Sequence, residues 1–199
     1  MLAQHPRVFL RDEFAPPEQL ERVVSIASDR ALLERHAHSY ERDSCSFTAE
    51  LAHASEPVLA ELAERMSASI GLGPGLGETL RLRAYGEGDR HGLHLDSYTD
   101  EDSGHTLVAT AMLYLCDTEA GGATHFPAAR PGPLWVMPRA GRVLLWFSHR
   151  EDGSLDRSSL HEGCAVESGY KLVLNAFCYR PLSACAAIPG LAICAQARS

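Results

Sequence analysis

The sequence predicts a mainly β domain, α+β overall, in which an antiparallel sheet folds back on itself as a jelly roll behind flanking amino-terminal helices. Two observations carry that reading. The apolar period changes from helical to alternating after Gly77. Short strand candidates then follow one another to Tyr179 with Gly, Pro, Asp and Ser between them and no helical segment to serve a parallel crossover.

The elements follow in order. PPEQLERVVSIASDRALLERH, from Pro16, places Leu20, Val23, Val24, Ala27 and Ala31 at helical spacing, with the prolines where a helix can begin. A second helix begins after Ser55, carries Leu59, Leu62, Met66 and Ile70 on its apolar face, and stops at the glycine cluster 71–77. Beyond it Leu80, Leu82 and Ala84 alternate with Thr79, Arg81, Arg83 and Tyr85, the pattern of a half-buried strand. Further strands are expected at LHL (93–95), LVATAMLYL (107–115), LWVM (134–137), RVLLWF (142–147) and KLVLNAFCY (171–179). DSYTDEDSGH (96–105) and SHREDGSLDRSS (148–159) are too charged for core and are expected as loops. Trp135 and Trp146, on apolar strands, are expected in the core.

At 199 residues and 45% hydrophobic, the chain has the size of one domain. It is expected to divide into a helical and strand support region (1–78), a jelly-roll core (79–181) and a tail (182–199) whose Ile188, Leu191 and Ile193 suit a packing or interface segment. A net charge of -8 and a pI near 5.6 repel phosphate and anionic lipid, which argues against nucleic-acid and membrane partners. No apolar run approaches the ~20 residues of a span, and MLAQHPRVFL is broken by charged and turn-forming positions, so a cytoplasmic location is expected. Cys45, Cys116, Cys164, Cys178, Cys185 and Cys194 form no CxxC pair and are expected as buried small hydrophobes.

The chemistry centres on HGLHLDSY. On a strand, His94 and Asp96 project from one face while Leu93 and Leu95 point the other way into the core. One imidazole and one carboxylate can thus reach a single ion. His161 in SLHEG would complete a 2-His-1-carboxylate face, which leaves open positions on an iron ion. A His-x-Asp pair alone is common by chance. The next observation is Lys171, ten residues after His161, at the start of an apolar strand where an ammonium could project inward. A cation buried there needs a carboxylate partner. Lys171 is the only lysine beside 17 arginines.

The run from Arg83 to Pro181 resembles the catalytic core of the prolyl 4-hydroxylase-like branch of the Fe(II)/2-oxoglutarate-dependent dioxygenases. The matching pieces are RAYGEG and HLD, then MLYLCDTEAGGATHFP, then PRAGRVLLWF, then DRSSLHEGCAVESGYKLVLNAFCYRP, in the family's order and spacing. Upstream, RVFLRDEFAPPEQLERVV and ERDSCSF resemble its first strand, first helix and following strand. The resemblance implies a double-stranded β-helix with Fe(II) on His94, Asp96 and His161, the C5 carboxylate of 2-oxoglutarate on Lys171, and Tyr85 hydrogen-bonding nearby. It implies hydroxylation of an unactivated C–H bond by O2 with release of succinate and CO2, and ascorbate as a candidate accessory reductant. A carboxylate at Asp96 is what a hydroxylase needs, since related halogenases carry a small residue there.

Peptidyl proline, a free amino acid or another small molecule all remain open as substrate, because function resides in the pocket walls. The chain departs from the peptidyl pattern at Leu107, His125 and Phe177, where a basic residue, an aliphatic residue and a tryptophan are usual. His125, in a glycine-flanked turn, is either a pocket contact or a surface residue; His91, His105 and His149 are expected as solvated loop side chains. Glu119, Gly121 and Gly122 resemble the family's EGG turn and need backbone freedom rather than chemistry. From other classes, a non-catalytic iron or 2-oxoglutarate sensor and a zinc hydrolase also fit two histidines and a carboxylate.

Overall fold

The computed structural model describes residues 1–29, 43–44, 47–71, 77 and 79–181. Among the described residues thirteen strands are formed: β1 (Val8–Arg11), β2 (Asp43–Ser44), β3 (Phe47–Ala52), β4 (Thr79–Tyr85), β5 (Arg90–His94), β6 (Thr106–Tyr114), β7 (Ala120–Gly121), β8 (Thr124–Phe126), β9 (Leu134–Val136), β10 (Val143–Phe147), β11 (His161–Gly163), β12 (Val166–Ser168) and β13 (Lys171–Arg180). Helix α1 spans Pro17–Asp29 and α2 spans Pro57–Ile70. A proline opens each helix, where its missing N–H costs nothing. Gly71 ends α2 in the left-handed conformation at φ 72°, its N–H closing on the carbonyls of Ser67 and Ala68. Ala31, Cys45, Cys185, Cys194 and the tail with Ile188, Leu191 and Ile193 lie outside the described residues. Among the described residues no helix is long and apolar enough to cross a membrane.

The pairing is antiparallel throughout. A six-stranded sheet runs β1-β10-β6-β13-β4-β3, a five-stranded sheet runs β2-β5-β11-β8-β9, and β12 pairs with β7. Two strands from the amino-terminal region, β1 and β3, form the edges of the larger sheet.

Strand parity in that sheet sorts side chains between two interiors. Leu80, Leu82, Ala109, Ala111, Leu113, Leu145, Leu174 and Ala176 pack with Leu20, Val23 and Ile26 of α1 and Leu59, Leu62 and Met66 of α2. The intervening residues, among them Tyr85, Met112, Tyr114, Leu144, Trp146 and Val173, turn to the other side and meet Phe126 and Val136 of the smaller sheet. This double use is why every residue of β6 is buried. Each fully buried aliphatic side chain contributes about 2 kcal/mol.

Among the described residues no helix lies over the smaller sheet, and two core expectations fail there. Leu93 is 43% exposed and Trp135 is 56% exposed, because both lie on its uncovered outer face. Leu95 is only half buried. Gly121 is a backbone requirement: at φ 74°, a Cβ there would stand 2.5 Å from the Ala165 carbonyl oxygen. Of the described cysteines, Cys178 is buried as expected, while Cys116 and Cys164 are only half buried.

Candidate active site

The space between the sheets is a cavity of about 360 Å³. β4 and β13 provide one wall with Arg81, Arg83, Tyr85, Lys171, Val173, Asn175, Phe177 and Tyr179. β5, β8 and β11 provide the facing wall with His91, His94, Thr124, His161 and Gly163.

His94, at the end of β5, lies opposite His161, the first residue of β11. Asp96 follows two residues beyond His94 and brings one ligand atom to the same place; the ligand atoms of the three residues lie within 4.8 Å of one another. His94 Nε2 is 3.4 Å from Asp96 Oδ1, and His161 Nε2 is 3.9 Å from Oδ2. Neighbouring donors around a metal with bonds near 2.1 Å stand roughly 3 Å apart, so small rotations would close the set. The Nδ1 atoms face away: His94 Nδ1 donates to the Gly92 carbonyl at 2.7 Å and His161 Nδ1 to the Ser159 carbonyl at 2.9 Å. Each Nε2 therefore presents its lone pair to the shared centre.

Electrostatics favours the metal-binding protonation states of His161 and Asp96, while in the metal-free protein Asp96 stabilises the protonated form of His94. Burial pushes His161 down to about 4, against the opposing charge of Asp96, so the ring is neutral at pH 7. For His94, burial works against the charged form, but the hydrogen bond and charge of Asp96 outweigh it and move the group upward. Burial alone would raise Asp96; His161, which is charged in the acid range where Asp96 titrates, the contacts with His94 and the Thr110 hydroxyl hold it below the usual carboxylate range. Thr110 Oγ1 donates to Asp96 Oδ2 at 2.6 Å.

Lys171 begins β13 directly across from Tyr85. It is 4% exposed, and its Nζ lies 5.6 Å from the Tyr85 ring centroid and 5.7 Å from that of Tyr114. Burial draws it down to about 8, with the nearby thiols of Cys164 and Cys116 opposing the shift. Among the described residues no carboxylate forms an ion pair with it. Gly163 makes room beside it, since a Cβ there would lie 3.7 Å from Nζ. All five residues singled out from the sequence, His94, Asp96, His161, Lys171 and Tyr85, thus line one cavity.

Two histidine expectations are corrected. His91 is on β5, not in a loop; its ring stacks on His94 at 3.9 Å and accepts a hydrogen bond from Arg83 Nη1 at 3.0 Å. Burial, followed by the charges of His94 and Arg83, pushes it down to about 3. His149 is 4% exposed, and burial lowers its pKa. His125 belongs to neither class foreseen for it: it is on β8, faces away from the cavity, and bonds Glu162 through Nδ1 at 2.8 Å. Sequence reasoning missed Thr110 and Arg83. The available signals were a hydroxyl within the apolar run LVATAMLYL and an arginine on the same strand face as Tyr85.

Residues 80–179 match the model of the 2OG-Fe(II) oxygenase superfamily. Probable prolyl 4-hydroxylase 8 of Arabidopsis thaliana is 30% identical over 198 residues, spanning 86% of this chain and 68% of that protein. Probable prolyl 4-hydroxylase 3 of the same plant is 30% identical over 196 residues with the same two shares. Among solved structures, the 2OG complex of a viral collagen prolyl hydroxylase from Paramecium Bursaria Chlorella virus-1 superposes with a TM-score of 0.70 at 18% identity, covering 90% of this chain and 99% of that one. A Pseudomonas putida prolyl-4-hydroxylase gives 0.64 at 16% identity, with 90% and 99% covered. The folds coincide, and the double-stranded β-helix expected from the sequence is the one observed. The chain belongs to the 2OG-Fe(II) oxygenase superfamily, in its prolyl 4-hydroxylase-like branch, and is an enzyme that uses Fe(II) and 2-oxoglutarate.

Proposed function

We propose that this enzyme hydroxylates a prolyl residue of a peptide or protein, with His94, Asp96 and His161 holding Fe(II) and Lys171 holding the far carboxylate of 2-oxoglutarate. The observation that carries the site assignment is the position of Lys171. A buried ammonium stands in the same cavity as the three donors, without an anionic partner among the described residues. An uncompensated buried charge is costly, and a dicarboxylate gripped at one end by the metal would bring the counter-charge at the other.

When bound, Fe(II) with 2-oxoglutarate and O2 supplies the oxidising power that inserts oxygen into a C–H bond, leaving succinate and CO2. The chain's residues supply the rest. Neutral His161 and ionised Asp96, with His94 beside them, would hold the metal through three donors, a set that suits iron with positions left for a co-substrate. Thr110 holds the carboxylate, and the Gly92 and Ser159 carbonyls hold the rings. Met112, Trp146 and Val173 make the wall apolar, which excludes water and strengthens the Lys171 ion pair.

Substrate class is supported by size and by kinship. A cavity of about 360 Å³ takes the co-substrate and one residue-sized group, so a longer chain would lie across the mouth past Tyr98, Leu107, Phe177 and Tyr179. The curated relatives at 30% identity bear the name prolyl 4-hydroxylase. The test compares a proline-rich peptide with free L-proline, reading succinate release and the mass of the substrate. Peptide-dependent succinate with one oxygen added to a prolyl ring is expected. Turnover of free proline with none on peptides would replace this reading with that of an amino-acid hydroxylase; binding of 2-oxoglutarate without succinate from any substrate would point to a sensor.

A further inference from the structure

The outer face of the smaller sheet carries a second group of metal-ligating side chains, separated from the cavity by the thickness of one strand. Glu162 and Cys164 lie two apart on and just beyond β11, and His125 is the direct partner of Glu162 on β8. Their inward neighbours Thr124, His161 and Gly163 line the cavity; these three do not. One ligand atom from each of His125, Glu162 and Cys164 lies within 4.8 Å of the others.

From this arrangement we propose that His125, Glu162 and Cys164 form a second metal site, distinct from the iron site, that takes a borderline-soft divalent ion such as Zn(II).

Imidazole, carboxylate and thiolate together are a zinc-type donor set, with water completing the coordination. Donors around tetrahedral zinc stand roughly 3.3–3.8 Å apart, so the existing cluster needs only side-chain rotation. The His125 ring is fixed in place by stacking on Trp135, with centroids 4.2 Å apart and planes 10° from parallel. Its Nδ1 meets Glu162, and the buried Nε2 has no hydrogen-bond partner among the described residues. Burial and the charge of Glu162 push the Cys164 thiol upward, so without metal it is a protonated thiol and a poor nucleophile. An ion here would tie β8 to β11, the strand that presents His161 on its inner side.

The test is a Co(II) titration of the full, reduced, metal-free chain. A thiolate–Co(II) bond gives an intense near-ultraviolet charge-transfer absorption that nitrogen and oxygen ligands do not give. Two classes of cobalt are expected, one of them with this band. His161→Ala should remove the class without the band and leave the band in place. Cys164→Ser should abolish the band, and His125→Ala should weaken that class by roughly 100-fold. X-ray absorption at the zinc edge of Zn-loaded His161→Ala should show one sulfur neighbour, which tests the site without altering it. A titration without a thiolate band, a band that survives Cys164→Ser, or zinc without sulfur would overturn the proposal.

Discussion

His94 and His161 face each other across the β5–β11 pairing, and each gives its Nδ1 proton to the carbonyl two residues before it. The same local device on two strands aims both Nε2 atoms at one point. Removing either ring should therefore abolish Fe(II) binding. His161→Ala is expected to lose both measurable Fe(II) affinity and the visible band that Fe(II) and 2-oxoglutarate form together under anaerobic conditions; an intact band would displace His161 from the ligand set.

Thr110→Val tests the layer behind the ligands. It keeps the shape of the side chain and deletes the donor to Asp96 Oδ2. Outer partners of metal ligands are commonly worth about 10–100-fold in metal affinity, and a loss of that size is expected by competition titration with Mn(II).

Lys171 should cost the ligand-free protein stability. Its folded value of about 8 lies below the ordinary 10.5, so the native state disfavours the charged form. The cost is fully present below pH 8, shrinks as pH rises above it, and is gone near pH 10.5. It is on the order of 3 kcal/mol at pH 7. Lys171→Met should raise the melting temperature of the metal-free chain at pH 7, with the difference fading toward pH 10, while 2-oxoglutarate binding is lost. A destabilised variant would contradict this account.

The pH dependence of co-substrate binding follows from the same group. Below pH 8 the ammonium is already charged and the affinity should be flat. Above it the affinity should fall by up to tenfold per pH unit, because a proton must be taken up on binding. Calorimetry in buffers of different ionisation heat would register that uptake.

Gly121→Ala should destabilise the fold while sparing the iron site. The added methyl would meet the Ala165 carbonyl oxygen at 2.5 Å in a left-handed backbone conformation. A loss of about 1–3 kcal/mol in denaturant unfolding is expected, with metal affinity unchanged in the folded fraction.

The longer strands were legible in the sequence as apolar runs bounded by turn residues, and α2 by its helical period between Pro57 and Gly71; the short strands β7, β8, β11 and β12 carry no such run and were not foreseen. The site was legible because a lone lysine and a His-x-Asp pair are rare company in apolar strands. What misled was the assumption that apolar residues on a strand find a core. Leu93 and Trp135 lie on the exposed outer face of the smaller sheet, and sheet order is not written in local spacing. His91 was misread because β5 begins at Arg90, three residues before the strand expected at 93–95. Arg83 and Thr110 escaped because their partners, His91 and Asp96, are joined to them only by strand pairing and the facing of two sheets.

The parity of the larger sheet has an evolutionary corollary. Along β4 and β13, the residues packed toward the helices and the residues that line the cavity alternate, as two messages interleaved on one ribbon. A change at Arg81, Arg83, Asn175 or Phe177 can retune what the pocket accepts while Leu80, Leu82, Leu174 and Ala176 keep their packing. Selection can revise selectivity and foldedness on separate tracks, and a library confined to every second position would explore new substrates from a scaffold whose helix-facing half stays constant.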